Sequence, residues 1–231
     1  MISSYIRWFI IAFLTVFLAI PAAAISIFSP KFANKTIVKI WGKLIILSCN
    51  VELKVKGLEN IKNKPLIVMY NHKSMFDIFS FASFMKYDWR AMMKKELLKV
   101  PFFGQTVKIM DHYFVSRDGS FDDRREVVKM LKKIKKGKIV FIAPEGTRNP
   151  NPGLIDFKNG GFYIAKKTNT NIVPMIIRGS GEIVRKGSLL IKPGKIEIEI
   201  LPEIYVDSYE DKKESIDQLR EDTFEIFLKN M

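Results

Sequence analysis

No charged side chain occurs between Trp8 and Pro30, a run of 23 residues, and nothing else in the chain limits its options so sharply. As a helix rising about 1.5 Å per residue, such a run is long enough to cross a hydrocarbon core of about 30 Å. Trp8 and Phe9 at one end and Lys31 and Lys35 at the other are residue types that settle at membrane interfaces. Pro21 interrupts the run and Ala22, Ala23 and Ala24 follow it, so a cleavable secretory signal is the competing reading. Against that reading stand the length of the apolar part and a single leading charge, Arg7. A second apolar stretch, Ile37 to Val51, carries Lys39 and Lys43 one helical turn apart, with Trp41, Leu44, Ile45 and Ser48 at spacings that give one greasy face. That helix can lie among headgroups with its lysines toward anionic lipid, or pack on a domain. Residues 1–50 therefore read as membrane-associated helices, and a Pro-broken hairpin entering one leaflet suits them as well as a single span. More lysines follow the run than precede it, which predicts the remainder, residues 51–231, on the cytoplasmic face of the inner membrane.

The 231 residues carry a formal net charge of +14, unevenly placed. From Glu197 onward 11 acidic residues face 4 basic ones, a net of −7, which leaves +21 on the first 196. A surface that basic suits an anionic partner: nucleic acid, phospholipid headgroup or phosphorylated substrate. Abundant Lys, Ile and Asn, as in a chain from an AT-rich genome, account for much of the same excess. Aromatic residues do not interleave with basic ones as a nucleic-acid stacking platform requires, so no nucleic acid partner is expected. One cysteine, Cys49, excludes a disulfide scaffold and a cysteine-based zinc site, and two histidines make a His-rich metal site a poor expectation. Cys49 lies in the apolar segment with no histidine near it in sequence and is discounted as a nucleophile.

Beyond residue 50, short apolar runs alternate with amphipathic stretches. Strands are expected at Glu52 to Lys56, Pro65 to Tyr70, Trp89 to Met93, Tyr113 to Val115, Lys138 to Ala143, Ile172 to Ile177 and Ile196 to Ile200. Helices are expected at about Ser74 to Met85, Gly104 to Met110, Asp122 to Lys136, Phe162 to Lys167 and Ser215 to Lys229. The alternation predicts an α/β fold: a mixed, partly parallel sheet flanked by helices, with the N-terminal helical segment appended.

Four places in this pattern hold residues suited to chemistry. Asn71-His72-Lys73-Ser74-Met75-Phe76-Asp77 follows the strand ending at Tyr70. His72 and Asp77 are five apart and cannot share one face of a regular helix. They can meet if His72 lies in the turn before the helix and Asp77 in its first turns, leaving the second ring nitrogen as a base. The plainer alternative is a capping segment, with Ser74 or Asn71 satisfying helix amides. Phe114-Val115-Ser116-Arg117 puts a guanidinium at a strand end, suited to a phosphate or to an ion pair with Asp118, Asp122 or Asp123. Phe141-Ile142-Ala143-Pro144-Glu145-Gly146-Thr147-Arg148 gathers a carboxylate, a permissive glycine, a hydroxyl and an arginine in one loop, either a cradle for an anionic hydroxylated ligand or a turn with an internal Glu–Arg pair. Phe157-Lys158-Asn159-Gly160-Gly161 follows it. Ile172-Val173-Pro174 begins a strand that suits the wall of a site. The Gly-x-Ser-x-Gly elbow, the phosphate-binding P-loop and the dinucleotide fingerprint are all absent.

Taken in order, these blocks resemble the glycerolipid acyltransferase family. Its His-x4-Asp pattern is matched by His72 and Asp77, its Phe-Ile-x-Arg block by Phe114 to Arg117, its Glu-Gly-Thr-Arg block by Glu145 to Arg148, and its late Val-Pro strand by Val173-Pro174. Lys94-Lys95-Glu96-Leu97 before Pro101-Phe102-Phe103-Gly104, and Phe157-Lys158-x-Gly160, complete a likeness covering about Val51 to Ile204. Asp111 stands where family members often have glycine, and His112 beside it is unusual and reads as a loop residue. The resemblance implies transfer of an acyl group from a thioester of acyl carrier protein or coenzyme A to the sn-2 hydroxyl of 1-acylglycerol 3-phosphate, a step of phospholipid biosynthesis. His72 is then the general base oriented by Asp77, with no acyl-enzyme and no cofactor or metal. Arg117 and Arg148, with Lys94, are expected on the acceptor phosphate, Gly146 and Thr147 at the bound substrate, and Glu145 either orienting Arg148 or binding the glycerol backbone. Glycerol 3-phosphate, a lyso-ornithine lipid or another lysophospholipid are the alternative acceptors. A non-enzymatic basic lipid-binding protein is the alternative outside the family.

Overall fold

The computed structural model describes residues 2–62, 64–116, 121–210, 212 and 214–231, with backbone only over 121–124. Its chain order is α1 (Ile2–Phe28), α2 (Pro30–Ala33), a π-helical turn (Asn34–Val38), α3 (Lys39–Ser48), β1 (Val51–Lys56), β2 (Leu66–Tyr70), α4 (Phe76–Phe84), β3 (Trp89–Lys94), α5 (Phe103–Ile109), β4 (Tyr113–Val115), α6 (Phe121–Ile134), β5 (Ile139–Ile142), α7 (Gly160–Thr168), β6 (Ile172–Arg178), α8 (Ser180–Ile183), β7 (Gly194–Ile200) and α9 (Glu214–Asn230). The strands form one sheet in the order β1-β7-β6-β2-β5-β3-β4. Every pairing is parallel except β6 with β7. The expected mixed, partly parallel sheet is what forms.

The central strands β2 and β5 are buried at every position. They read as unbroken apolar runs because helices cover both faces. The period of two sorts their side chains. Leu66, Val68 and Tyr70 join Ile139 and Phe141 in one cluster with α1, α3 and α4. Ile67 and Met69 join Val140 and Ile142 in a second cluster with α6, α7 and α9. The result is a three-layer sandwich whose five mutually parallel strands end on one edge of the sheet, where sites in such folds collect.

At the N-terminus, two helical stretches form a hairpin, but its bend is not at Pro21. Helix α1 runs through that proline, which lacks only one donor, and ends at Phe28. The break comes at Ser29-Pro30: the Ser29 hydroxyl accepts from the Phe32 amide at 3.3 Å, and Pro30 takes the first helical position, where its missing N–H is no loss. The hairpin does not stand away from the rest. Ile11, Ile45 and Ile46 belong to the same apolar cluster as β2 and α4. Gly42 lets α3 approach α4 so closely that an added Cβ would sit 2.7 Å from the Phe79 carbonyl oxygen. Helix α1 is bonded to the domain along its length. Ser4 and Arg7 bond to the backbone of Ile191, Trp8 Nε1 donates to Leu189 O at 2.7 Å, and the Thr106 hydroxyl donates to Ala19 O at 3.2 Å. Its outer face remains apolar and exposed, through Ile2, Ile6, Phe9, Phe13, Phe17, Ile20 and Phe28.

Candidate active site

Strand β2 delivers the first block. After Tyr70 the chain leaves the sheet, and Asn71 locks the exit: its side chain donates to Ile177 O at 2.8 Å and accepts from Ile177 N at 2.7 Å, clamping the turn to β6. His72 follows with its ring edge-on to Tyr70, centroids 5.5 Å apart. Asp77 lies in the first turn of α4 and is fully buried. The contact requires His72 to precede the helix, and it does: His72 Nδ1 and Asp77 Oδ2 are 2.7 Å apart. The same carboxylate oxygen accepts from the amides of Lys73 and Ser74, each at 2.9 Å. Three donors on one oxygen fix the carboxylate, which in turn fixes the plane and tautomer of the ring by bonding Nδ1. Among the described residues nothing bonds to Nε2, and the His72 side chain keeps 14% of its surface open. Ser74, the capping alternative, bonds elsewhere as well: its hydroxyl donates to Val184 O at 2.8 Å.

Strand β5 delivers the second block to the same edge. Glu145 is turned inward, 1% exposed. One of its oxygens accepts from the His72 amide at 2.9 Å and the other from the Ile155 amide at 3.0 Å. His72 O closes the loop by accepting from Asn149 N at 2.8 Å. Burial pushes the Glu145 carboxyl above its ordinary range, opposed by those two amides. Its bonds go to the histidine turn and not to Arg148. Gly146 has a positive φ of 73° with the Lys158 methylenes packed against it, so a side chain there would be strained and crowded. Thr147 is exposed. Arg148 is half-buried, and among the described residues its guanidinium has no carboxylate partner. Lys186 braces this loop from β6's side of the sheet, donating to Arg148 O at 2.9 Å and Thr147 Oγ1 at 3.3 Å.

Lys94 stands at the end of β3, exposed and paired with Glu96 at 3.0 Å. Its strand ends on the same edge, two places from β2. Arg117, with Asp118 beside it, lies outside the described residues, as do the side chains of Asp122 and Asp123. His112 is in a loop, as read, but it is buried: Nδ1 accepts from the Ala91 amide at 3.0 Å, and burial with the Arg90 cation nearby lowers it to about 3. It is a neutral structural acceptor. Among the described residues no three His, Cys, Asp or Glu side chains gather into a metal-ligand set. Sequence reasoning missed Lys186 and the inward role of Glu145, because their partners are 38 and 73 residues away and no local pattern marks them.

An imidazole with one nitrogen held by a carboxylate and the other open is equipped to take a proton from an alcohol. A model of the Acyltransferase family matches residues 52–178, which include His72, Asp77 and the whole Glu145 to Arg148 block. Three similar proteins are each called 1-acyl-sn-glycerol-3-phosphate acyltransferase. One from Cocos nucifera is 29% identical over 75% of this chain and 56% of its own length. A chloroplastic one from Arabidopsis thaliana is 32% identical over 76% and 50%. One from Pseudomonas aeruginosa is 29% identical over 73% and 64%. This chain thus spans about half the length of the first two. The fold matches the crystal structure of the 1-acyl-sn-glycerophosphate acyltransferase of Thermotoga maritima, with a TM-score of 0.83 and 24% identity over 99% of this chain and 93% of that one.

Proposed function

This chain belongs to the Acyltransferase family, and from that premise we propose that it transfers a fatty acyl group from an acyl thioester to the sn-2 hydroxyl of 1-acylglycerol 3-phosphate, giving phosphatidic acid. The observation that carries the proposal is the 2.7 Å contact between His72 Nδ1 and Asp77 Oδ2, with Nε2 left open. The open nitrogen removes the proton from the acceptor hydroxyl as its oxygen attacks the thioester carbonyl carbon. The tetrahedral adduct then collapses, the C–S bond breaks, and the imidazolium returns the proton to the departing thiolate. Asp77 stabilises the transient imidazolium. No covalent acyl-enzyme is needed, and the thioester is itself the activated donor, so the reaction calls on no cofactor. Arg148, half-buried in the loop after β5, is proposed to hold the acceptor phosphate. Arg117 and Lys94 are proposed to assist it, and Lys186 holds the loop that carries Arg148. Glu145 acts as a positioning residue through the His72 backbone, and Gly146 and Thr147 line the approach for the glycerol. The names of the similar proteins support this acceptor, and either acyl carrier protein or coenzyme A is the proposed thiol carrier.

The same reading places the hairpin in the inner membrane, flat in the cytoplasmic leaflet. Helix α1 is long and apolar enough to cross a bilayer, yet it is bonded to the domain through its first turns and again at Ala19. Lying flat exposes its apolar face to lipid tails and leaves the site at the headgroup level, where an acceptor needs no extraction at about 0.8 kcal/mol per CH2. The test is acceptor-dependent thiol release from an acyl thioester, run over lysophosphatidate, glycerol 3-phosphate and lysophosphatidylcholine. Lysophosphatidate should be preferred, and His72→Ala should abolish the release with folding and membrane association intact. Full activity in that variant removes His72 as the base.

A further inference from the structure

At the end of α1 remote from the candidate site, the hairpin bend opens a groove of about 530 Å³ lined by Ser29, Lys31, Phe32, Lys35, Thr36, Lys39 and Lys86. Three of the lysines rise from one face of α2, the π-helical turn and α3. The fourth comes from the turn between α4 and β3, about 50 residues away in sequence, so the fold assembles this charge and no single helix does. That turn precedes β3, on the opposite edge of the sheet from His72. Among the described residues no carboxylate lies within 4.0 Å of any of the four ammonium groups. The nearest acidic residue in sequence, Asp88, is already taken by Arg90 at 2.5 Å and by Lys138. Four like charges gathered at one groove repel one another, and an anion between them relieves that repulsion. The groove also has an apolar rim: Ile27, Phe28 and Phe32 are exposed beside it, Phe28 at 90%. Charged heads above aliphatic stems and aromatic rings suit a ligand with an anionic end and a greasy end.

We propose that this groove is a second lipid site, separate from the catalytic one, that binds the phosphate headgroup of an anionic glycerophospholipid of the leaflet. It rests on the reading of α1 as lying flat. A helix of 27 residues spans about 40 Å, so the groove and the Trp8 end give two headgroup-level contacts that far apart. Two such points hold the helix axis parallel to the membrane plane, where a contact at one end alone leaves it free to tilt. An acidic protein such as a carrier protein is the less suitable occupant, because the groove opens beside the residues that face lipid.

The experiment uses the full chain with vesicles of phosphatidylcholine, alone or with phosphatidylglycerol, and reads the bound fraction by co-sedimentation. The wild type should bind the anionic vesicles more tightly. Lys35→Gln with Lys86→Gln should lose roughly thirtyfold of that preference, about fivefold per lysine, while keeping its binding to phosphatidylcholine and its melting temperature. Lys132→Gln with Lys136→Gln, at the α6 end on the opposite layer, should lose little. Equal losses in the two pairs overturn the site in favour of diffuse attraction. Stabilisation by inorganic phosphate alone, lost in the groove variant with vesicle binding unchanged, makes it a free-phosphate site and overturns the lipid. A raised KM for acyl carrier protein thioester with unchanged vesicle binding makes it a protein dock. A wild type that binds both vesicle types equally overturns the groove alone, and one that binds neither overturns the flat hairpin as well.

Discussion

Asp77 Oδ2 receives a ring nitrogen and two backbone amides, so Asp77→Asn does more than remove a charge. The amide must turn either its oxygen or its NH2 toward donors, and the imidazole loses the partner that sets its tautomer. Turnover should fall on the order of a thousandfold or more in the thiol-release assay. Glu145 tests positioning. Glu145→Gln keeps one acceptor and sets a donor against an amide, letting the His72 turn drift. It should lower kcat by about a hundredfold with little change in donor KM, a split that a general loss of stability does not produce. His112 offers a pH readout. The unfolded chain protonates this ring near 6.5, while the folded chain holds it neutral down to about 3. Between those values the unfolded state carries the extra proton, so stability is intact above the window and falls by about 1.4 kcal/mol per pH unit as pH drops. His112→Gln still accepts from the Ala91 amide but does not titrate. Its urea midpoint should decline less than that of the wild type between about pH 7 and about pH 4.

Helix α3 is held at its distance from α4 by an absent side chain. A Cβ on Gly42 would meet the Phe79 carbonyl oxygen at 2.7 Å and the Ser83 nitrogen at 2.8 Å, backbone atoms that cannot step aside alone. Gly42→Ala should cost about 1–3 kcal/mol, seen as a melting temperature lower by roughly 3–10 °C. The segment after α8 is the other informative element. Val184 O takes the Ser74 hydroxyl, Lys186 braces the Thr147 hydroxyl and the Arg148 carbonyl, and Leu189 and Ile191 hold Trp8, Ser4 and Arg7. One stretch of eight residues (184–191) thereby joins the histidine turn, the arginine loop and the first turns of the apolar helix.

For the molecule as a whole, the question is whether α1 crosses the bilayer or lies along it. Single cysteines in place of Ser3 and Lys31 decide it, since both positions are exposed and the native Cys49 is buried. In sealed inside-out membrane vesicles, a thiol reagent that does not cross lipid should label both variants from the outside. Labelling of one and protection of the other means a span. The flat arrangement suits a molecule in which one of the two core clusters, around Ile11, Ile45, Val68 and Phe141, is shared by the hairpin and the sheet.

Much of this was readable from residue order. Apolar runs of four to seven residues marked β2, β5 and β6, because a strand covered on both faces has no polar side to show. His72, Asp77 and the Glu145 to Arg148 block were readable as chemistry because each follows such a run. Other features depend on contacts between distant segments, and no local rule encodes those. Pro21 looked like the end of a helix, yet α1 continues through it, since packing against the domain outweighs one missing donor. Glu145 looked like a ligand for substrate, and folding turned it beneath the histidine, where two amides await a carboxylate. Local periodicity writes the elements, because each is stabilised by neighbours three, four or two residues away. The site joins by hydrogen bonds residues up to 110 positions apart, the lysine groove gathers residues about 50 apart, and only the closing of one sheet brings either set together.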